Sequence, residues 1–286
     1  MSFTEKYLPI FDVVKPDIER VEADLLDSIS IDEPLKSKLF EVLNAPSKHI
    51  RAVLAFLFLK AQGREIDEKQ IVFQSAIELV HNASLIHDDV IDESQSRRAV
   101  QTINSKFGNK LAVITGDYLL SVALKKIRTL DAPEIIDMFA QTLDDMCQGE
   151  IKQDFSRFKI PSIEEYLEKT RLKTAKLFET ALCGSLFLYG PDYCSSIQNF
   201  ARNFGIAFQI RDDLINAKTS QNDFKEGIYT APVIFANSVE EFQNGIEKTQ
   251  ILLNNYVDSA LKCIENLEES KYKAALTNLL GLIKNE

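Results

Sequence analysis

Residues 78–91 read ELVHNASLIHDDVI, and this stretch decides the class of fold. Its apolar residues recur three and four positions apart and surround most of a helix, which predicts a helix buried inside a bundle. Residues 198–215, QNFARNFGIAFQIRDDLI, repeat the pattern and also end on an aspartate pair. Strand-like alternation is almost absent, and only 10 glycines and 8 prolines interrupt the 286 residues. The sequence therefore predicts an all-α helical bundle that forms a single domain over residues 1–286.

The composition limits the class of protein and of partner. Hydrophobic residues make up 45% and charged residues 27%, which is typical of a globular chain. The net charge of −10, without a basic tail or stripe, argues against a nucleic-acid partner. The four cysteines are scattered without paired spacing, so we expect small core residues in a reducing compartment and no metal–thiolate site or disulfide framework.

The sequence predicts neither export nor insertion into a membrane. Residues 1–14 contain acidic residues and no long apolar run, so no signal peptide is predicted. No stretch of about 18 apolar residues follows, so no stable membrane anchor is expected. Both observations predict a cytoplasmic protein. Ser162 and Glu165, three positions apart after a proline, predict the capped start of a helix.

An acidic group closes the first buried stretch. Asp88 and Asp92 stand one helical turn apart, roughly 6 Å at their β-carbons, and Asp89 and Glu93 form a second pair rotated by about 100°. Against an apolar wall, each unpaired carboxylate costs several kcal/mol. A helix end that emerges into water removes that cost. A bound Mg²⁺ also removes it, because this cation prefers carboxylate oxygens and keeps water and phosphate as further ligands.

The second buried stretch repeats the arrangement with one difference. Asp212 and Asn216 again stand one turn apart, with Asp213 beside them. Two buried helices that each end in an acidic group predict groups that face each other across one cavity. Carboxylates from opposite walls then hold Mg²⁺ between them, with a diphosphate bridging the metal ions.

Basic side chains near both acidic groups are the counterpart that a diphosphate requires. Each of them alone reads as a solvated surface charge, but together they resemble a phosphate cradle. They are Arg97 and Arg98 after the first group, Lys48, His49 and Arg51 at the start of another apolar helix, and Lys173 beside Thr174.

Seven segments together resemble the trans-isoprenyl diphosphate synthase (polyprenyl synthetase) family, and its medium- to long-chain bacterial members in particular. Any one of them alone is a weak signal, but the seven stand in the family's order from about Lys48 to Pro232. They are SKHIRAVL (47–54), HNASLIHDDVIDESQSRR (81–98), FGNKLAVITGDYLLSVA (107–123), QGEIKQ (148–153), LKTAKLF (172–178), FGIAFQIRDDLIN (204–216) and DFKEGIYTAPVI (223–234).

The resemblance implies a fold and a reaction. The fold is a helical bundle around a large central cavity, the isoprenoid synthase fold. The reaction condenses isopentenyl diphosphate with an allylic diphosphate, such as farnesyl diphosphate, to give a medium- or long-chain all-trans polyprenyl diphosphate. It depends on Mg²⁺, with three ions expected when the allylic diphosphate is bound. Members of the family are commonly homodimers, so a homodimer is expected here.

The resemblance also implies roles for individual residues. Asp88, Asp92 and Asp212 are the implied metal ligands, and Arg97 and Lys173 assist the departure of the diphosphate. The implied ligands of isopentenyl diphosphate are Lys48, Arg51, His81 and Arg98, and His49 is a further implied substrate-binding residue. The implied lining of the allylic cation, which also orients the proton transfer, is Thr174, Phe208 and Gln209.

Several positions depart from the family pattern. Asn216 replaces the third aspartate of the second acidic motif and is a neutral, weaker Mg²⁺ ligand. The segment at 217–222 is short and lacks a Gly-Lys pair, for which Lys218 is a partial substitute. Ile228 occupies a lysine position, and His49 an arginine position. These changes weaken the implied allylic diphosphate site.

Two small residues bear on product length. Ser84 and Ala83 lie four and five residues before Asp88, where related synthases with short products carry bulky side chains. An open tunnel for a tail longer than twenty carbons is one interpretation, and close packing of two helices is the other.

Two further functions stay open beside the active synthase. The first is a weakly active or inactive regulatory subunit of a heteromeric synthase, which the departures favour. The second is an enzyme similar to class I terpene cyclases, which the basic residues for isopentenyl diphosphate disfavour.

Overall fold

A computed structural model describes residues 3–190, 195–219, 222–236 and 241–285, with only the backbone described at 222 and 223. The first part of the chain contains α1 (Phe3–Phe11), α2 (Lys15–Asp27), α3 (Leu35–Leu43), α4 (Ile50–Ala61), α5 (Glu68–Ile91), β1 (Ser96–Arg97), β2 (Val100–Gln101), α6 (Ile103–Phe107), α7 (Asn109–Thr129) and α8 (Pro133–Phe155). The remainder contains α9 (Ile163–Thr170), a π-helical turn (Arg171–Ala175), α10 (Lys176–Phe187), α11 (Ser195–Lys218), α12 (Asn222–Lys225), α13 (Ala231–Ala236), α14 (Phe242–Ile264) and α15 (Lys271–Asn285). The predicted all-α class is confirmed.

The helices group into two compact units, which are described separately. Unit A is Val14–Ile136, and unit B is Met1–Val13 together with Asp137–Glu286. The prediction of one domain over residues 1–286 stays a prediction.

Helix α5 is the central element of unit A. The Asp67 side chain caps its start by accepting a hydrogen bond from the Gln70 backbone N–H at 3.0 Å. The helix then packs against α2, α4 and α7, and most of its side chains are buried. Because a helix that is apolar on most sides belongs in an interior, this burial agrees with the sequence pattern.

A small hairpin follows α5 where the sequence offered almost no strand signal. Strands β1 and β2 pair Ser96 with Gln101 and Arg97 with Val100. The two turn residues, Arg98 and Ala99, both have positive φ, 52° and 63°. Two residues in this conformation match the turn type that joins twisted strands. The sequence missed the hairpin because these turns favour asparagine and glycine, and neither is present.

Helix α11 is the central element of unit B and packs against α10, α13 and α14. The predicted start of α9 is confirmed, because Ser162 Oγ accepts from the Glu165 N–H at 3.1 Å and Glu165 Oε2 accepts from the Ser162 N–H at 2.8 Å.

The cysteine prediction is only partly correct. Cys183 is buried as expected, whereas Cys147 is exposed, so its prediction as a core residue is wrong. Cys263 is half-buried, and Cys194 lies outside the described residues. Over the described ranges, no helix has the length and apolar character that crossing a membrane would require.

Candidate functional site

The first acidic group lies at the C-terminal end of α5. Asp88 is half-buried in the last turn, and Asp92 is the exposed C-cap residue, just outside the helix. The Asp92 N–H still donates to the Asp88 carbonyl at 2.8 Å, so the two residues remain one turn apart as predicted. Their backbone places two accessible carboxylates at the rim of a buried helix.

Asp89 differs from Asp88 and Asp92 because its side chain is buried and forms an ion pair inside unit A. Arg97 Nε donates to Asp89 Oδ1 at 2.8 Å, and Asn104 Nδ2 donates to the Asp89 carbonyl at 3.0 Å. Burial raises the pKa of Asp89, and Arg97 opposes that rise. Arg97, predicted to contact a diphosphate, is thus held by the hairpin against α5, and its role as a phosphate ligand stays a prediction.

His49 is engaged at both ring nitrogens. It is the N-cap residue of α4 and has a left-handed backbone, with φ 45°. Its Nε2 lies 2.9 Å from Glu22 Oε1, and its Nδ1 lies 3.0 Å from Glu78 Oε2. Burial alone lowers the pKa of His49, but the two carboxylates overcome it and raise the pKa to about 10. His49 is therefore an imidazolium clamped between α2 and α5.

Glu78 is the centre of the predicted basic group and was missed from the sequence. Its carboxylate is buried, which raises its pKa, but the charged side chains of His49 and Arg51 lower that pKa to about 2. The available signal was a glutamate inside an apolar helix, one turn before His81. Since an uncompensated buried charge costs several kcal/mol, the cations gather around it.

The other basic residues of unit A have different charge states. Arg51 is buried, and burial lowers its pKa to about 10, which leaves it charged at neutral pH. Burial, then Arg51, lowers the pKa of His81 well below its ordinary value, so His81 is a neutral donor. Burial also lowers the pKa of Arg98 while Glu78 raises it. The structure thus brings His49, Arg51, His81 and Arg98 together in one electrostatic group, and Lys48 is exposed one residue before α4's cap.

The His49 clamp predicts how stability depends on pH. The folded pKa of about 10 exceeds the ordinary value of 6.5, so the stabilisation is complete below pH 6.5 and is lost as the pH rises through 10. We expect the free energy of unfolding to fall by a few kcal/mol over that window. The free energy of unfolding is measured by urea titration at steps from neutral pH to about pH 10, and it should fall less steeply with pH for His49→Gln than for the parent. An equal dependence on pH in the two proteins would contradict a charged His49.

The second acidic group belongs to α11 in unit B. Asp212 is half-buried and pairs with Arg211 Nη1 at 3.1 Å, while the Arg211 guanidinium lies 4.3 Å from the centre of the Phe3 ring. Asn216 is half-buried one turn after Asp212, in the helix as predicted. Arg211 thus supplies a positive charge beside Asp212.

A hydrogen-bond chain in unit B orients Gln209. Thr174 Oγ1 donates to Gln209 Oε1 at 2.9 Å, and Gln209 Nε2 donates to Asp213 Oδ1 at 2.9 Å. The Tyr166 hydroxyl donates to Asp213 Oδ2 at 2.6 Å. Burial raises the pKa of Asp213, with Lys169 and Tyr166 opposing the rise. The predicted pair of Thr174 and Gln209 is therefore brought together, and Tyr166 and Asp213 complete a network that the sequence did not reveal.

Lys173 lies in the π-helical turn between α9 and α10. It forms an ion pair with Glu150 of α8. A Cβ at Gly149 would lie 2.7 Å from the Lys173 backbone nitrogen, so only glycine lets α8 approach this closely. Single π-helical turns inside helices are frequent at functional sites. The role of Lys173 towards a diphosphate stays a prediction.

Phe208 is the end of an aromatic ladder along α11. Ring centres of Phe200 and Phe204 lie 6.1 Å apart and those of Phe204 and Phe208 lie 6.3 Å apart, with Phe178 of α10 at 5.8 Å from Phe208. The first two rings are buried, and Phe208 is half-buried. The ladder thus leaves the last ring accessible beside Gln209.

The two small residues predicted to set product length differ in their surroundings. Ala83 is fully buried, which fits the close-packing interpretation. Ser84 is half-buried, and its Oγ donates to the His81 carbonyl at 2.8 Å. Only Ser84 keeps accessible surface. Of the short segment at 217–222, residues 220 and 221 lie outside the described part of the chain, and Ile228 is half-buried.

The donor chemistry suits Mg²⁺, although no complete cage is assembled. Within the described ranges, no three His, Cys, Asp or Glu side chains are arranged to hold a metal ion. The carboxylates of Asp88 and Asp92 in unit A and of Asp212 in unit B are accessible oxygen donors. Mg²⁺ is commonly bound through one or two carboxylates while waters and substrate phosphates complete its shell. These carboxylates therefore suit a metal ion that binds together with a substrate's phosphate groups.

Comparisons with known proteins agree with this chemistry. The profile of the family described as Polyprenyl synthetase matches residues 32–271. The chain is 31% identical to a prenyl transferase of Cyanophora paradoxa, over 92% of this chain and 93% of the relative. It is 30% identical to the chloroplastic solanesyl diphosphate synthase 2 of Arabidopsis thaliana, over 95% and 75% respectively.

A comparison of folds finds a solved structure with the same architecture. The crystal structure of a polyprenyl synthase from Caulobacter crescentus, complexed with calcium and isoprenyl diphosphate, aligns with a TM-score of 0.88. The alignment covers 98% of each chain at 21% identity. At this identity the likeness establishes the fold, and the predicted isoprenoid synthase fold is confirmed.

Proposed function

Because this chain belongs to the polyprenyl synthetase family, we propose that it condenses isopentenyl diphosphate with an allylic diphosphate, such as farnesyl diphosphate. The product is a medium- or long-chain all-trans polyprenyl diphosphate. One observation carries the proposal: α5 presents His81 within a cationic group and, two turns later, the carboxylates of Asp88 and Asp92. A single helix thus carries one member of the basic group and both carboxylates of the acidic group.

The reaction begins when the allylic diphosphate leaves and a resonance-stabilised cation remains. A bound Mg²⁺ would neutralise the charge that develops on the leaving diphosphate, held by Asp88, Asp92 and Asp212. Arg97 and Lys173 place further positive charge beside the leaving diphosphate. Phe208 presents an aromatic face to the cation, and its ring quadrupole stabilises positive charge.

The second substrate then attacks. Lys48, Arg51 and Arg98 bind the diphosphate of isopentenyl diphosphate as cations, and neutral His81 donates a hydrogen bond. The double bond of isopentenyl diphosphate forms the new carbon–carbon bond, and one proton leaves the resulting cation for the released diphosphate. The Thr174–Gln209 hydrogen bond keeps the Gln209 carbonyl in one orientation towards the cation. Exclusion of water protects both cations from quenching.

His49 has a different role from that of a direct phosphate ligand in this proposal. Its two nitrogens contact Glu22 and Glu78, so its charge is balanced within the protein. It therefore positions the start of α4, next to Lys48 and Arg51.

Further properties follow from the family resemblance and belong to the same proposal. The enzyme depends on Mg²⁺ and binds three ions together with the allylic diphosphate. It is a homodimer located in the cytoplasm. The calcium and isoprenyl diphosphate in the Caulobacter structure support a divalent cation beside such a substrate.

One assay separates the proposed function from the alternatives. Purified protein is incubated with Mg²⁺, farnesyl diphosphate and radiolabelled isopentenyl diphosphate. Labelled products longer than the starter support the synthase. A regulatory subunit gives no turnover, and this second candidate is favoured by Asn216 and Ile228, which weaken the allylic site. Consumption of farnesyl diphosphate without incorporation of label indicates a cyclase.

Asn216→Asp tests the reduced second acidic group. The change adds a charged ligand one turn from Asp212, so the Mg²⁺ concentration for half-maximal rate should fall by about two- to tenfold. Steady-state rates over a Mg²⁺ titration measure it, with Asn216→Ala as the matched control that adds no charge. An unchanged or higher Mg²⁺ requirement in Asn216→Asp would show that this position does not approach a metal.

A further inference from the structure

The two aspartates of the second acidic group have different environments on α11. The Asp212 side chain is 44% exposed, whereas Asp213 is only 4% exposed. Consecutive residues of a helix point about 100° apart, so one can face the solvent while the next enters the interior. The first acidic group divides in the same way, because Asp88 is half-buried and Asp89 is buried. The second aspartate of each pair is therefore the inward one.

Both carboxylate oxygens of Asp213 accept hydrogen bonds from inside unit B. The Tyr166 hydroxyl donates to Oδ2 at 2.6 Å, and Gln209 Nε2 donates to Oδ1 at 2.9 Å. Burial, then Asp213, raises the pKa of Tyr166 well above its ordinary value, so the hydroxyl keeps its proton at neutral pH. Mg²⁺ keeps several waters when it binds a carboxylate, and such a shell needs open space that the buried Asp213 lacks.

The Asp213 carboxylate decides which end of the Gln209 amide faces Thr174. A carboxylate only accepts hydrogen bonds, whereas a glutamine amide has a donating end and an accepting end. Gln209 therefore turns its NH₂ group towards Asp213 and its carbonyl towards Thr174, whose Oγ1 donates at 2.9 Å. In the opposite orientation, the carbonyl would face the carboxylate, and two acceptors would be in contact. The hydrogen-bond chain thus has a single polarity.

A close approach of two backbones supports this chain. A Cβ at Gly205, one turn before Gln209, would lie 2.6 Å from the Cα of Ala175. Only glycine lets α11 come this near to the π-helical turn that carries Thr174. The backbones on both sides of the Thr174–Gln209 hydrogen bond are therefore fixed by packing, and the bond to Asp213 fixes the amide.

We propose that Asp213, held by Tyr166, is a positioning residue that keeps the Gln209 carbonyl turned towards the allylic cation, and that it is not a metal ligand. The inference rests on the proposed condensation, in which positive charge develops beside Gln209. The carbonyl oxygen has a second lone pair for that cation, whereas an NH₂ group in its place would repel positive charge. Asp213 thus acts on the reaction through Gln209, while Asp212 remains the proposed metal ligand of α11.

Two substitutions separate a positioning residue from a metal ligand. Asp213→Asn keeps an acceptor for the Gln209 NH₂ group, because the Tyr166 hydroxyl can accept from the new amide instead of donating. Its kcat should stay within about threefold of the parent, with an unchanged Mg²⁺ requirement. Asp213→Leu has a similar shape and no acceptor, so its kcat should fall about tenfold or more while both KM values stay parental. A Mg²⁺ requirement raised about tenfold in Asp213→Asn would overturn the proposal, because it would make Asp213 a metal ligand.

A double-mutant cycle tests whether Asp213 acts through Gln209. In a Gln209→Ala background no carbonyl remains to be oriented, so Asp213→Leu should change kcat by less than about twofold. Tyr166→Phe keeps the ring and removes the donor, and it should lower kcat by a smaller factor and in the parent background only. An equal fall of kcat in both backgrounds would overturn the proposal, because this is the result that a general loss of folded protein gives.

The surface of α8 offers a matched control. Gln148 Nε2 donates to Asp144 Oδ2 at 2.7 Å, and both residues are exposed. Asp144→Leu removes the same kind of hydrogen bond and has no proposed role, so it should keep the parental kcat, KM values and Mg²⁺ requirement. A loss of kcat as large as that of Asp213→Leu would show that the effect does not depend on Gln209.

Nuclear magnetic resonance tests the amide orientation without relying on turnover. In protein that carries isotopically labelled glutamine, the side-chain signals of Gln209 are those missing from Gln209→Ala. One NH₂ proton should lie downfield of those of exposed glutamines because it donates to a carboxylate, and Asp213→Leu should abolish this displacement. Gln209 signals in the parent that match those of exposed glutamines would overturn the proposal. A displaced signal in a parent that incorporates no isopentenyl diphosphate would refute the proposed condensation alone, since the amide orientation would stand.

Discussion

Asp88→Ala is expected to reduce the rate of isopentenyl diphosphate incorporation by about 10³-fold or more, because it removes a carboxylate donor from the acidic rim of α5. The fold should survive, since Asp88 is half-buried and its loss relieves repulsion from Asp92 by a few tenths of a kcal/mol. Initial rates with radiolabelled substrate and a thermal melt of the same sample measure both effects.

Asp137→Ala provides the control for Asp88→Ala. Asp137 is an exposed aspartate on α8 and has no proposed role, so this variant should keep the parental rate. A near-parental rate in Asp88→Ala would refute the metal assignment. If the melting temperature of Asp88→Ala were lower than that of the parent by several degrees, its loss of activity would be assigned to impaired folding instead.

Ser84→Phe is expected to shorten the product by about ten carbons or more. The residue lies four positions before Asp88, about 6 Å along the helix axis, and keeps accessible surface that a ring can occupy. In the open-tunnel interpretation, a ring at this position closes the path of the growing tail near its start. Chromatography of the dephosphorylated products measures the chain length of parent and variant.

Ser84→Ala is the matched control for product length, because it keeps a small side chain and should give the parental products. Ala83→Phe would be a poorer test of product length than Ser84→Phe. Ala83 has no accessible surface, so a ring there overpacks the core and costs about 1–3 kcal/mol of stability. A Ser84→Phe protein with the parental product spectrum would show that the growing tail does not pass beside residue 84 of α5.

Some features of the site could be read from the sequence because they depend on local periodicity. The one-turn spacing of Asp88 and Asp92, and that of Asp212 and Asn216, follows from helix geometry alone. The apolar surroundings of these residues in the chain also indicated that their helices are buried. Neither inference needed knowledge of which helices pack together.

Other features depend on contacts between residues far apart in the chain. His49 reads as one more cation for a diphosphate, yet Glu22 and Glu78 occupy both of its nitrogens. Asp213 belongs to the second acidic group in the sequence, yet Tyr166 and Gln209 hold it inside unit B. The identity of an acidic residue does not show whether its carboxylate is buried or exposed, so its role depends on how it is packed.

By itself, the sequence determined the helical class, the acidic and basic groups and the family, because periodicity and motif order are local properties. Tertiary structure alone decided which charges are compensated: Asp89 by Arg97, Glu78 by His49, and Asp213 by Tyr166. The physical reason is that desolvation and pairing energies arise from neighbours in space, and those neighbours exist only once the helices have packed.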